Sequence, residues 1–242
     1  MHRAMLELPV RQPGPLDRRD ARSKLAALLV FLVVISTARS AFPETAAALA
    51  LLLAAACVWA RVPLAAALRR AAVVVPFTLF FVLVCWMAGE PGRGLALAVK
   101  SYLSCLAVWL VIATTPLPDL LRGFESFGAP RFLLMVAQFV YRYLFVISEE
   151  ARQMAQAALA RGGTARGAFR LLGFRAAAGA LAVLFARSYG RAGEVHRAML
   201  ARGFRGRVRC LDAPRFRSAD AAFLAAASLV PVLARLAAER LA

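Results

Sequence analysis

The alternation of apolar runs with arginine-rich blocks constrains this chain most. Apolar runs occupy about 25–38, 45–60, 71–88, 95–113 and 219–238, and the segments between them carry most of the 31 basic residues. A transmembrane helix needs roughly 20 apolar residues. The first run is short and becomes adequate with its flanking residues and a tilt; the others read as spans directly. With 62% hydrophobic residues and a mean hydropathy of +0.67, the chain is too apolar for an ordinary soluble domain. Its formal net charge of +18 fits a large positive cytoplasmic face. Nucleic-acid binding is the other usual reading of such charge, and apolar runs of spanning length argue against it.

The placement of the charge orients the chain. Segments 1–24, 61–70 and 116–218 hold 6, 3 and 17 basic residues, whereas the outer turns around Ser40 and Gly92 hold one each, Arg39 and Arg93. The positive-inside rule then puts the N-terminus and 116–218 on the cytoplasmic side of a multi-pass protein. Four parts are expected. Residues 1–24 form an extended cytoplasmic arm carrying Pro9, Pro13 and Pro15. Residues 25–115 form a four-helix transmembrane region, 116–218 a cytoplasmic helical region, and 219–242 a C-terminal transmembrane helix containing Pro231. The fold class is an all-α integral membrane protein, with about five transmembrane helices plus long amphipathic helices on the cytoplasmic side. No cleavable signal peptide is expected, because residues 1–24 are polar and basic.

Within 116–218 the pattern stops looking like simple spans. Thr114-Thr115-Pro116-Leu117-Pro118-Asp119 reads as a helix stop followed by a helix start. Leu117 to Phe127 predicts a short amphipathic helix with Leu120, Leu121, Phe124 and Phe127 on one face, ended by Gly128. A long helix follows from Arg131 to about Arg161, apolar as far as Ile147 and polar from Glu149 onward. At about 45 Å it is expected to run obliquely from the membrane to its cytoplasmic face. A second long helix runs from about Ala176 to Arg202. Its Leu181, Phe185, Ser188, Ala192, Val195 and Met199 alternate spacings of four and three, the seam of a helix packed along another. Arg187, Arg191, Glu194 and Arg197 lie off that seam, with Glu194 placed to pair with Arg191 or Arg197. Glu149 and Glu150 are neighbours pointing to different sectors, and both read as solvated helix surface.

Catalytic signatures are missing. There is no GxxxxGK[ST], HExxH or GxSxG. His2 reads as a residue of a disordered arm, and His196 as a packed or rim histidine. Cys57, Cys85, Cys105 and Cys210 show no CxxC spacing and read as small buried hydrophobes. Neither a metal site nor a cofactor is expected, and a lipid-modifying enzyme would need acid, base or metal ligands that do not converge here.

One tetrapeptide occurs twice. Leu159-Ala160-Arg161-Gly162 and Leu200-Ala201-Arg202-Gly203 each close a long helical pattern, 41 residues apart. An arginine followed by glycine at a helix end presents a forked cation where a partner can reach it. Either copy alone is also an ordinary helix end, with a cation on the dipole and glycine as the cap. Two copies in one segment favour docking. Ala165-Arg166-Gly167 repeats the shorter motif, so the first copy centres on Arg161 or Arg166.

These features resemble the transmembrane T component of energy-coupling factor transporters, a family of ABC importers. Further stretches carry the resemblance: Leu16-Asp17, Lys24-Leu25, Thr114-Thr115-Pro116, Pro130, and Phe139-Val140-Tyr141-Arg142-Tyr143. So do Arg187-Ser188-Tyr189, Arg191-Ala192 and Ala198-Met199-Leu200-Ala201-Arg202-Gly203-Phe204. The Tyr-Arg-Tyr stretch and the last ending look like the cobalt type. The resemblance implies that the long helices are coupling helices. Ala160-Arg161-Gly162 and Ala201-Arg202-Gly203 would dock in grooves of two cytoplasmic ABC ATPase subunits, where each arginine meets acidic groups. The seam Leu181–Met199 would pack the coupling helices, which also hold a membrane-embedded substrate-binding S component. The resemblance further implies that ATP hydrolysis belongs to the partners, that the membrane is the bacterial plasma (inner) membrane, and that the cargo is cobalt or nickel. A vitamin importer of the same type and a stand-alone carrier are the alternatives. The second is disfavoured because the spans hold few charges and no polar midplane pair.

Overall fold

The computed structural model describes residues 14–17, 19–38, 42–162, 171–206 and 217–241. His2, Arg39, Arg166 and Cys210 lie outside the described residues. Among the described residues there are nine α-helices and no strand: α1 Ala21–Thr37, α2 Phe42–Trp59, α3 Leu64–Ala71, α4 Val75–Met87, α5 Pro91–Thr114, α6 Leu117–Ser126, α7 Arg131–Ala160, α8 Leu171–Ala201 and α9 Ser218–Leu241. Four stretches are long and apolar enough to cross a membrane, Leu64–Met87, Pro91–Thr114, Arg131–Ala160 and Ser218–Ala237, and Pro43–Trp59 is a shorter apolar helix. The protein is therefore an all-α, multi-pass membrane protein. Residues 1–128 with 214–242 form one unit, and residues 129–213 form a second.

In the first unit α5 packs against α1, α2, α3 and α4, while α9 closes on α1 and α2, and α6 lies on α1. The core follows helical spacing: Phe31, Val34 and Ile35 on α1, Leu49, Leu53 and Cys57 on α2, Leu103, Leu106, Ala107 and Leu110 on α5. Lipid tails are as apolar as leucine, so such contacts hold helices together by fit rather than by escape from water. Fit is closest where side chains are smallest. A Cβ on Gly94 would lie 3.0 Å from Cys85 Cβ and 3.1 Å from Val82 Cα, so α5 meets the backbone of α4 directly. Trp59 stacks obliquely on Phe223, with ring centres 5.9 Å apart, and ties α2 to α9.

Several expectations are corrected. Arg69 and Arg70, in the basic segment 61–70 between two apolar runs, lie in the last turn of α3, which passes through a 3-10 turn at Ala72–Val74 into α4. The Arg70 guanidinium lies over the Trp109 ring at 5.4 Å, an attraction that lets a cation remain beside the bundle. The end of the N-terminal arm is not extended: residues 15–17 form a turn, Asp17 accepts from the Gly14 N–H, and Leu16 is buried in the core. Helix α2 begins at Phe42, taking in Pro43 and Glu44 from the expected turn, since proline near the start and an acid in the first turn both suit a helix N-terminus. On α6 Leu120, Leu121 and Gly123 are buried, whereas Phe124 and Phe127 are exposed. Helix α9 runs through Pro231, whose ring is fully buried.

Polar groups close the helix ends. Lys24, in the first turn of α1, is 3% exposed and donates from Nζ to Thr114 O at 2.9 Å and Thr115 Oγ1 at 3.0 Å. Lys100, in the first half of α5, donates to Ala38 O at 2.6 Å and Ser36 O at 3.3 Å. Helices α1 and α5 are thus antiparallel, and each sends a lysine to the terminal carbonyls of the other. Arg235 of α9 adds a hydrogen bond to Thr37 Oγ1. At the opposite end of α1, Asp20 caps the helix by accepting from Arg22 N at 3.0 Å. The buried Asp220 accepts from Arg217 N at 3.1 Å and Asp20 N at 3.3 Å, with Arg19 3.9 Å away. That joins the starts of α1 and α9.

A hydrogen bond to a charged group is worth about 1.5–3 kcal/mol, and removing one partner leaves the buried carbonyl unmet. Lys24→Met is expected to destabilise the detergent-solubilised protein by about that amount, read as a lower denaturation midpoint. Lys100→Met is expected to cost less, because Lys100 is only half-buried.

Candidate functional site

The second unit consists, among the described residues, of α7 and α8. Alanine, leucine, methionine, glutamine and arginine favour these helices locally. Both end alike. Arg161 N donates to Ala157 O and Ala158 O, each at 3.2 Å; Gly162 follows with φ +86°, and its N–H donates to Leu159 O at 3.0 Å. Arg202 N donates to Ala198 O at 3.2 Å and Met199 O at 3.1 Å; Gly203 has φ +77°, and its N–H donates to Leu200 O at 2.9 Å. Phe204 N then donates to Met199 O at 3.0 Å, completing a Schellman cap. A Cβ at either glycine would meet nothing within 4 Å. The need for glycine here is conformational rather than steric.

Ala160, Arg161, Gly162, Ala201, Arg202 and Gly203 are all exposed. Among the described residues neither Arg161 nor Arg202 forms an ion pair. Each guanidinium, with five donors in a planar fork, stands in solvent beside a flat glycine. Such an end is chemically suited to a carboxylate or phosphate group and to close approach by another backbone.

Facing surfaces of α7 and α8 enclose a groove of about 680 Å³. Phe139, Tyr143 and Ile147 line it from α7, and Ser188, Ala192, Val195 and Met199 from α8. His196 lies on its wall. Tyr143 stacks near Phe139 at 6.4 Å, while Tyr141 packs edge-on against Phe145 at 5.2 Å, so the two tyrosines of the Tyr-Arg-Tyr stretch serve different faces. Of the six seam residues, Leu181 and Phe185 do not line the groove and are 66% and 72% exposed.

The polar contact between the helices is one that sequence reasoning missed. Glu150 is not solvated helix surface: its side chain is 15% exposed, and it accepts from Arg187 at 3.2 Å on Oε1 and from Arg191 at 3.1 Å on Oε2. Glu149 pairs with Arg152 within α7 at 3.6 Å and remains 61% exposed. Among the described residues Glu194 forms no ion pair, since Arg191 turns to α7 instead. A signal was present: Glu150 and Arg191 are 41 residues apart, the same offset as Arg161 and Arg202. Among the described residues no group of three or more His, Cys, Asp or Glu side chains is placed to hold a metal ion. Cys57 is buried in the core, and Cys85 and Cys105 are half-buried free thiols.

A family model described as "CbiQ: Cobalt transport protein" matches residues 14–210. A curated relative, the cobalt transport protein CbiQ of Rhodobacter capsulatus, is 31% identical over 122 residues, which make up 50% of this chain and 49% of that protein. The match therefore spans about half the length of the curated relative.

The caps can be tested directly. A side chain held at positive φ costs about 1–2 kcal/mol. Gly203→Ala is expected to loosen the last turn of α8, speeding hydrogen exchange at the residue 203 and Phe204 amides by about 5–30-fold. Unchanged exchange would show that the turn tolerates the new Cβ.

Proposed function

Since the chain belongs to the CbiQ cobalt transport protein family, we propose that it is the transmembrane coupling subunit of an ABC-type importer of the energy-coupling factor kind, carrying cobalt or nickel. The observation that supports this reading is the pair of matching helix ends, each an exposed arginine followed by a left-handed glycine. Coupling needs rigid levers with specific contacts at their tips. Helices of 30 and 31 residues supply the levers. An arginine fork supplies a contact for an acidic groove.

In this reading Arg161 and Arg202 each enter a groove on one of two cytoplasmic ABC ATPase subunits. Gly162 and Gly203 let the groove wall come close, and Ala160 and Ala201 keep the approach narrow. Leu181, Phe185, Ser188, Ala192, Val195 and Met199 face the other long helix or a membrane-embedded substrate-binding S component. ATP hydrolysis takes place in the ATPases, and the metal ion is bound by the S component. Residues 116–218 form the coupling region between the transmembrane helices 25–115 and the C-terminal helix 219–242. The N-terminus (1–24) and the coupling region lie on the cytoplasmic side of the bacterial plasma membrane, the side favoured by their arginines.

Co-expression with the two ATPases provides the test. Losing one arginine of a desolvated charge pair costs about 2–5 kcal/mol, so Arg161→Ala and Arg202→Ala are each expected to weaken copurification, and the double change to abolish it. Full ATPase binding by a correctly inserted double variant would overturn the proposal. Cobalt uptake into vesicles holding this chain alone would point instead to a stand-alone carrier.

A further inference from the structure

We infer that Glu150 is a positioning residue, the pivot that fixes the angle between α7 and α8 and so the separation of the two Arg-Gly ends. This rests on the coupling reading for its functional consequence, but its structural half stands without it. Both carboxylate oxygens are used, one on Arg187 and one on Arg191, which lie one turn apart on the same face of α8. A carboxylate held by two arginines spaced along a helix resists rotation in a way that a single pair does not. Much of the remaining lining between the helices is apolar, with Phe139, Ile147, Ala192 and Val195 among it. Apolar surfaces are non-directional and allow two helices to roll or slide. Charge-assisted hydrogen bonds are directional and set a crossing angle.

Position along the helices gives the clasp its use. Glu150 lies eleven residues before Arg161, and its partners Arg191 and Arg187 lie eleven and fifteen residues before Arg202. At 1.5 Å per residue the arm from the clasp to its arginine is about 16 Å on α7 and about 16–22 Å on α8. Arms of similar length mean that a change in crossing angle displaces both ends by similar amounts, about 3–4 Å for a 10° rotation. Two ATPases closing together would then be met by comparable movements. Glu149 cannot do this, because it points to another sector and pairs within α7. Glu194 lies on α8 and, among the described residues, forms no ion pair.

The experiment uses the full chain in lipid nanodiscs, with its four cysteines replaced and nitroxide labels at Gln156→Cys and Arg197→Cys. These positions lie six residues beyond Glu150 and Arg191 and are exposed. Distances are read by double electron–electron resonance without any ATPase present. The intact clasp is expected to give one narrow distance, and Glu150→Ala to shift and broaden it. Reversing the charges, with Glu150→Arg, Arg187→Glu and Arg191→Glu together, is expected to narrow it again. If Glu150→Ala fails to insert, Glu150→Gln keeps the shape, removes the charge and is read in its place. A distribution that stays narrow without the charge, or that reversal does not restore, overturns the inference.

A second measurement addresses function. In the assembled complex, Glu150→Ala is expected to keep ATPase copurification while cobalt taken up per ATP hydrolysed falls, with the charge-reversed set regaining it. Unchanged uptake per ATP in a variant whose distance has broadened also overturns the inference. Failure of ATPase binding to depend on Arg161 and Arg202 would instead remove the coupling reading and leave the distance result standing.

Discussion

Backbone carbonyls at a helix end have no partner within the helix, and in hydrocarbon no water replaces it. The first unit of this protein is arranged around that problem. Lys24 reaches the end of α5, and Lys100 reaches the end of α1. Each lysine serves as a cation on the negative end of a helix dipole and as a donor to a terminal carbonyl. The pairing also fixes which helices are antiparallel neighbours and how far each may slide. A shift of one turn, 5.4 Å, would break both clamps. Close packing at Gly94, and at Gly123, where a Cβ would fall 2.6 Å from Leu25 Cδ1, is compatible with few other registers.

The second unit finishes its helices differently from the α1–α5 pair. Here each helix carries its own terminator, an arginine with a glycine in the left-handed conformation, and the arginine is left exposed. Carbonyls are met by the turn itself rather than by another helix. The contrast separates two uses of the same orphan groups. In the bundle the ends of α1 and α5 are closed by a cation from the other helix, which locks the two together, while α2, α4 and α6 close in local left-handed turns at Arg61, Gly89 and Gly128. On α7 and α8 they are closed locally, and the arginine side chain stays exposed.

Much of this was legible in the sequence. Apolar runs of near-spanning length, the glycines after Arg161 and Arg202, and the break at Thr114-Thr115-Pro116 all act locally, and local signals survive without knowledge of the fold. Thr114 and Lys24 stand as separate features of the sequence, and no local signal relates two residues 90 apart. Arg69 and Arg70 interrupt the apolar pattern in the sequence; in the fold they continue α3, and Trp109 provides a place for Arg70. Leu16 reads as part of an extended arm because prolines and arginines surround it, yet in the fold its side chain is buried in the core. Glu150 was hidden for a different reason. Adjacent acids on a polar helix face look alike in sequence, and only the partner helix distinguishes Glu150 from Glu149.

The basic residues divide along the same physical line. Two of the 31 are lysines, and both meet backbone carbonyls, single acceptors that a compact ammonium with three rotatable donors can approach from many directions. The side-chain ion pairs are made by arginine, each through one Nη1: Arg187 and Arg191 take one oxygen of Glu150 apiece, and Arg93 and Arg122 pair locally with Glu90 and Asp119, three residues away. Exposed arginines at 161 and 202 belong chemically with the second group. A lysine at either end would keep the charge but lose the planar fork, so the exchange would not be conservative if the partner presents a carboxylate. The tips therefore share the residue chemistry of the clasp behind them: one arginine pair is closed on an acid within the chain, and the other stands exposed at the two helix ends.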